Sequence, residues 1–340
     1  MARRNVEEEL ARLSALKRLP DHPSTATLLR KALRDRIGLI VARAAEVTAY
    51  LQQSGLTPDL LSAFDRMFVK PAEIDPKCWA KNAIVRALVD LGHTASAPFL
   101  RGLYHVQMEP VWGGSEDSAI ALRGACALAL VSARDLPRQD VFENLVQALT
   151  DGYTSGDPGL LERCSPVRAD AIRAIEEMSG QEARLLLRLK ARAGDVSPGV
   201  VGRTFDSLLR LDTTAVGFVT SFLSHAEPAI REEAALALGS SPLPAAVEAL
   251  VAAWRAGPRE TSTVILQALI HSRQDSAMAF LLDLLRTASR PEALQVLSGL
   301  ALHGTDKALR QRIGEVLRTR GENPILIRFR ELFNDQGSTF

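Results

Sequence analysis

From Pro228 to Gly257 apolar residues return every three or four positions, first before a turn and then after it. Ile230, Ala234, Leu236 and Leu238 predict one helix, with Arg231, Glu232 and Glu233 on its wet face. Ala229, Ala235 and Ala237 are small enough to let a neighbouring helix approach closely. Pro228 suits the first turn, where its missing N–H has no partner to lose. Gly239 is expected to stop the helix in a left-handed cap. Ser240–Pro242 then turn the chain, and Val247, Leu250, Val251 and Trp254 form the stripe of a second helix. One such hairpin cannot bury both of its apolar faces, so it requires stacked copies.

The copies are marked by prolines. Pro166, Pro198, Pro228, Pro258 and Pro291 are spaced 32, 30, 30 and 33 residues apart, each within the first turn of a predicted helix. Each helix runs to a turn, at Ser179-Gly180, Asp212-Thr213, Gly239-Ser240, Ser272-Arg273 and His303-Gly304. Each turn leads to a second apolar stripe: Leu185–Leu189, Val216–Leu223, Val247–Trp254, Met278–Leu285 and Leu309–Leu317. The unit resembles HEAT repeats, in the short form also found in bilin lyases. The resemblance is carried by Pro228-Ala229-Ile230-Arg231 with Ala234, Ala235, Leu236, Ala237, Leu238 and Gly239, and by Pro166-Val167-Arg168 with Ala171 and Ile172. It covers roughly residues 76–320 and implies a fold but not a function. The fold class expected is all-α: an α-solenoid of stacked antiparallel helix hairpins with an N-terminal helical cap.

The rest of the chain is assigned around these repeats. Residues 1–70 form the cap, with helices over 5–18, 24–53 and 59–68. Residues 71–322 carry the repeats, whose first two hairpins are 78–91 with 95–104 and 117–133 with 138–151. A loop is expected over 152–165. Residues 323–340 hold a closing helix over 323–333 and a frayed tail over Asn334–Phe340.

Composition sharpens this picture. Apolar residues make up 46% of the chain but aromatics only 5%, which suits alanine- and leucine-built helix stacking. The net charge of +1 does not point to a simple polyanion binder. The charge is uneven, however: residues 1–43 carry +5, residues 307–330 carry +5, and residues 44–306 carry −7. Cys78, Cys126 and Cys164 have no CxxC spacing and read as reduced, buried thiols of a cytoplasmic protein. The start of the chain has no signal-peptide pattern, and the longest apolar run, Ala125 to Val131, is too short to cross a bilayer, so no membrane partner is expected.

One stretch breaks the repeat, an insertion over 104–116. His105, Gln107 and Glu109 alternate with Tyr104, Val106 and Met108, a strand-like period. Pro110 drives Glu109 out of helical conformation, and Gly113-Gly114 free the backbone behind Trp112. Such an insertion is where a solenoid would place a specific contact, with Glu116, Asp117 and Arg123 close behind. The candidate partner-binding set is therefore His105, Gln107, Glu109, Trp112, Glu116, Asp117 and Arg123, with Trp112 as anchor. The competing reading makes Trp112 and Met108 a plug between hairpins.

Catalytic patterns are missing. The six histidines are scattered and no His-Glu pair occurs, which argues against HEAT-type di-iron hydroxylases and against a metal site. No phosphate loop, GxSxG elbow or cofactor motif is present, and no catalytic residue is nominated. HEAT-like alkylpurine DNA glycosylases are a closer comparison, for which Trp79, Trp112, Trp254 and Asp117 are nameable but stand in no matching motif. The sequence is thus read as a non-enzymatic scaffold for another protein. A nucleic-acid-binding protein or enzyme of the glycosylase kind is the alternative, with the basic ends as its contact.

Overall fold

A computed structural model describes residues 5–19, 24–257, 259–272 and 274–334. The chain divides into two compact units, Met1–Ala183 and Arg184–Phe340. Both are built from antiparallel helix hairpins, so the fold is all-α and of the solenoid class. Four of the marker prolines stand at helix starts as expected, in Ser165–Met178, Pro198–Leu211, Pro228–Ser240 and Arg290–Leu300. Pro258, Arg273 and the tail beyond Asn334 lie outside the described residues.

In the first unit the predicted helix over 24–53 is two helices, Thr25–Leu33 and Gly38–Tyr50. The break has a local cause. The Asp35 carboxylate accepts the Ile37 amide at 2.9 Å, which offers the backbone an alternative to helix. Ile37 is then extended, and the chain restarts at Gly38. A Cβ at Gly38 would stand 2.8 Å from both Asp75 Oδ1 and the Ile74 carbonyl, so only glycine lets the restart approach that segment. Gly38–Tyr50 packs along Trp79–Asp90, which in turn packs on Ile120–Ala129, and Ile120–Ala129 on Ser165–Met178. Their shared core includes Ile40, Val41, Ala44, Ile84, Leu88, Leu122, Cys126, Ala171 and Ile172, all fully buried. The expected loop over 152–165 contains a short helix, Pro158–Arg163, capped by Asp157.

The three cysteines all belong to this unit, are free, and are buried. Burial raises each thiol above its ordinary value, Cys78 to about 11. Among the described residues no helix is long and apolar enough to cross a membrane.

In the second unit Pro198–Leu211 packs on Pro228–Ser240, and Pro228–Ser240 on Arg259–His271. Two expectations about the repeat are corrected here. Leu236 is not core but 44% exposed; Ile230, Ala234, Ala235, Ala237 and Leu238 are buried instead. Gly239 does not end the helix, which continues to Ser240. A Cβ at Gly239 would lie 2.5 Å from the Ala268 carbonyl, so this glycine serves close helix packing rather than a cap. A similar phase correction applies in Gly180–Ala193, where Leu187 is buried while Leu185 and Leu189 are exposed.

These contacts set a stability test in thermal melts followed by circular dichroism. Leu236→Asp should melt within about 0.5 kcal/mol of wild type, as exposed substitutions do. Gly239→Ala should destabilise by about 1–3 kcal/mol, because overpacking outweighs alanine's better helix propensity.

Candidate functional site

The insertion folds as a β-hairpin. Strands Met108–Val111 and Gly114–Asp117 pair antiparallel, with Met108 opposite Asp117 and Val111 opposite Gly114. Gly113 turns the chain at φ +91, a conformation that glycine adopts without strain. The alternation does place His105, Gln107 and Glu109 on one side, but that side faces the body of the unit. Val106, Met108 and Val111 are exposed, and Trp112 is wholly so at 104%. Trp112 and Met108 therefore plug nothing. Nor do His105, Gln107 and Glu109 surround Trp112; they pin the base of the hairpin.

The pinning is a continuous polar network. Glu109 Oε1 accepts from the Lys77 amide, from Gln107 Nε2 and from Ser118 Oγ, each at 2.6 Å. Burial raises the Glu109 carboxyl, but these three hydrogen bonds and the Lys81 charge outweigh it and hold the group below its ordinary value. Gln107 also donates from Nε2 to the Asp75 carbonyl at 2.9 Å, and its amide donates to Asp117 Oδ1 at 3.0 Å. His105 Nε2 lies 3.1 Å from Gln107 Oε1, and its ring meets Phe68 edge-on. Burial, together with the Lys81 and Arg123 charges, lowers the His105 imidazole despite the Gln107 hydrogen bond and the Asp117 charge. Asp117 and Arg123 are themselves buried and paired at 2.6 Å. Arg123 reaches Asp151 at 2.7 Å and the His105 carbonyl at 3.0 Å. Burial lowers the Arg123 guanidinium, but Asp151 and Asp117 more than offset it. Glu116 alone among the nominated acids is exposed, 3.7 Å from Arg163.

Sequence reasoning missed the segment this network rests on. Asp75 and Lys81 are fully buried and paired at 3.0 Å. Asp75 also accepts the amides of Ala80 at 2.7 Å and Lys81 at 3.1 Å, so it caps the Trp79–Asp90 helix. Lys77 and Cys78, just before that helix, are both left-handed at φ +57 and +54. Asp75-Pro76 reads in sequence only as a linker.

The same helix forms one wall of a groove of about 520 Å³, within the range of small-ligand sites. Trp79, Asn82, Arg86 and Asp90 recur at three and four along it, on one face. Leu39, Glu46 and Tyr50 of Gly38–Tyr50, Lys17, and alanines 42, 49, 83, 87 and 121 also line it. Trp79 is 46% and Tyr50 63% exposed, unusual for large rings in a cavity. Lys17 Nζ stands 4.8 Å from the Tyr50 ring centre and Lys77 Nζ 6.0 Å from that of Trp79. The spacing of Trp79, Asn82, Arg86 and Asp90 was the available signal, but it resembles any amphipathic helix. Among the described residues no cluster of His, Cys, Asp and Glu is arranged to hold a metal ion.

The residues named for the glycosylase comparison are not gathered. Trp79 lies in the groove, Trp112 at the hairpin tip and Asp117 in its buried ion pair. Trp254 is half-buried in the second unit. Both basic ends hold cations that the fold itself uses. Toward the N-terminal end Arg30 and Arg34 pair with Asp59, and Arg43 with Glu46. Toward the other end Arg310 is bonded to the Gly304 carbonyl, Arg318 to that of Gly314, Arg320 to those of Leu285 and Ala288, and Arg328 to Glu331.

No family model matches the chain, and no curated protein matches it. Among solved structures, human deoxyhypusine hydroxylase in complex with glycerol is similar at 20% identity, over 79% of this chain and 91% of that one, with a TM-score of 0.28. The expectation of a non-enzymatic scaffold is corrected at this point, since the similar protein is by its name an enzyme. At that identity and TM-score the likeness transfers neither activity nor site to this chain.

Two outcomes are expected for the hairpin. Arg123→Met should cost about 3–5 kcal/mol in denaturant unfolding, since it strands the buried Asp117 carboxylate, whereas Trp112→Ala should stay within about 0.5 kcal/mol of wild type. Glu109, with its value lowered by folding, contributes stability above its unfolded value near about 4.3 and loses it as pH falls through the folded value. The stability gap between wild type and Glu109→Gln should therefore be constant at neutral pH and close on acidification.

Proposed function

We propose that this chain is a helical-repeat protein of HEAT type that binds nucleic acid and holds an unstacked base in the Trp79–Tyr50 groove. The observation that carries the reading is that two exposed aromatic rings, each beside a lysine ammonium, line one groove. Every base has a π-face, and stacking on an aromatic side chain serves any of them. Lys17, Lys77 and Arg86 supply positive charge for the flanking phosphates. Arg12, Arg18, Lys31 and Arg36 add positive charge along the N-terminal helices. Glu46 and Asp90 keep the groove itself from being a uniform phosphate track and favour contact with the ring.

The reading keeps the resemblance to alkylpurine DNA glycosylases as its enzymatic form, with different acids. Glu46 and Asp90, not Asp117, are the carboxylates beside a bound base, where negative charge stabilises positive charge developing on base or sugar. The three buried, unpaired thiols support a cytoplasmic setting.

Fluorescence anisotropy with a labelled single-stranded oligonucleotide tests the proposal. Trp79→Ala should weaken binding by about 1–3 kcal/mol, the worth of one stacked base, with the melting temperature nearly unchanged because the ring is half-exposed. Arg86→Gln should reduce the slope of affinity against salt by about 1. Binding that survives Trp79→Ala, or that does not weaken with salt, would remove the groove as the contact.

A further inference from the structure

The hairpin and the groove share a wall. Glu109 Oε1 accepts the Lys77 amide at 2.6 Å, and Gln107 Nε2 donates to the Asp75 carbonyl at 2.9 Å. Trp79, in the groove lining, follows Lys77 by two residues. From the other strand, Asp117 leads within four residues to Ala121, which also lines the groove. Both feet of the hairpin thus stand on segments that build the groove. At about 3.3 Å per residue an extended strand carries Trp112 about 10 Å from Glu109.

What the hairpin carries outward is a ring without charge. Residues 110–115 are all exposed and none of them is charged. Trp112 among them is wholly exposed, and Val111 beside it is exposed too. The acids nearby are committed. Glu109 is held by three hydrogen bonds, Asp117 pairs with Arg123, and the exposed Glu116 lies 3.7 Å from Arg163. Lys77 is exposed; its amide holds the hairpin, and its ammonium lies 6.0 Å from the Trp79 ring centre. A neutral tip that ends in an aromatic ring is fit to enter a stack of bases, which accepts a ring and excludes a charge. A cation at its foot suits the phosphates outside that stack.

We infer that the hairpin is a wedge whose Trp112 ring enters a base step of a duplex close to the base held on Trp79. The inference rests on the base-binding reading of the groove and names its substrate class, a base taken out of double-stranded nucleic acid. A base cannot reach a groove while it is stacked and paired, and freeing it from a duplex costs both interactions. The inserted ring offsets part of that cost by stacking on the base faces it uncovers. A single strand needs no wedge, because its bases have no partner strand to leave. Trp112 therefore matters for a duplex and not for a single strand.

Fluorescence anisotropy with a labelled DNA duplex, and with one of its strands alone, tests the inference. Wild type should bind both. Trp112→Ala should weaken duplex binding by about 10-fold or more, the worth of one ring stacked on a base, and leave single-strand binding unchanged. Trp112→Phe, which keeps a ring, should hold duplex binding near that of wild type. Energy transfer between dyes at the two duplex ends should report a kink with wild type and none with Trp112→Ala. Duplex binding that Trp112→Ala leaves intact overturns the inference and leaves the tip to a protein or lipid contact. Equal losses on duplex and single strand overturn it as well, since Trp112 would then be a general contact. So does a duplex that wild type fails to bind or to kink. In all these cases the groove reading stands if Trp79→Ala still weakens single-strand binding. Single-strand binding indifferent to Trp79→Ala overturns the groove reading, and the inference with it.

Discussion

The first unit is tied together at the carboxylate of Asp75. That group pairs with buried Lys81 and caps the Trp79–Asp90 helix through two amides. Its backbone carbonyl receives Gln107 from the hairpin, and its side chain sets the closeness that Gly38 must meet. Three elements distant in sequence thus converge on one residue. The constraint behind this convergence is elementary: a buried carboxylate is tolerated only when its acceptor sites are filled, so each element that meets Asp75 must bring a donor or a small residue. The helix supplies amides, Lys81 its ammonium, and the Gly38–Tyr50 helix a glycine.

This explains which parts of the molecule were legible in sequence. Helix hairpins depend on periodicity and on residues next to each other, so Pro198, Pro228 and Pro291 mark their starts correctly. Phase within a repeat was harder. Leu236 and Leu238 both sit among alanines, and only the neighbouring helix decides which one is inside. Gly239 looked like a cap because glycine after an apolar run usually is one, whereas its reason for being glycine is the Ala268 carbonyl 29 residues later in the chain. The break after Leu33 was masked by an unbroken apolar stripe, although Asp35 was there to make it.

The candidate sites divide along the same line. The period of two in 104–109 indicated strand, which the chain adopts only from Met108 onward, and it did not say which face would be buried. Apolar residues ordinarily turn inward; here the polar ones do, because Asp75, Lys77 and Arg123 wait beneath them with unmet donors and acceptors. The groove went unread for the opposite reason. Trp79, Asn82, Arg86 and Asp90 have the spacing of an ordinary amphipathic helix, and their common opening depends on alanines contributed by two other helices. Exposed rings beside alanines from three helices are a property of the assembly and not of any segment.

The cysteines lend the first unit a property of a different kind. Cys78, Cys126 and Cys164 are spread over its length, are buried, and have thiols that burial keeps protonated. The thiolate is the reactive species, so in the closed fold each sulfur is nearly inert to alkylating reagents. Opening of the surrounding helices returns it to ordinary reactivity. The rate at which each cysteine is modified is therefore a clock for the local opening of the helices around it, one built into the native chain at three positions.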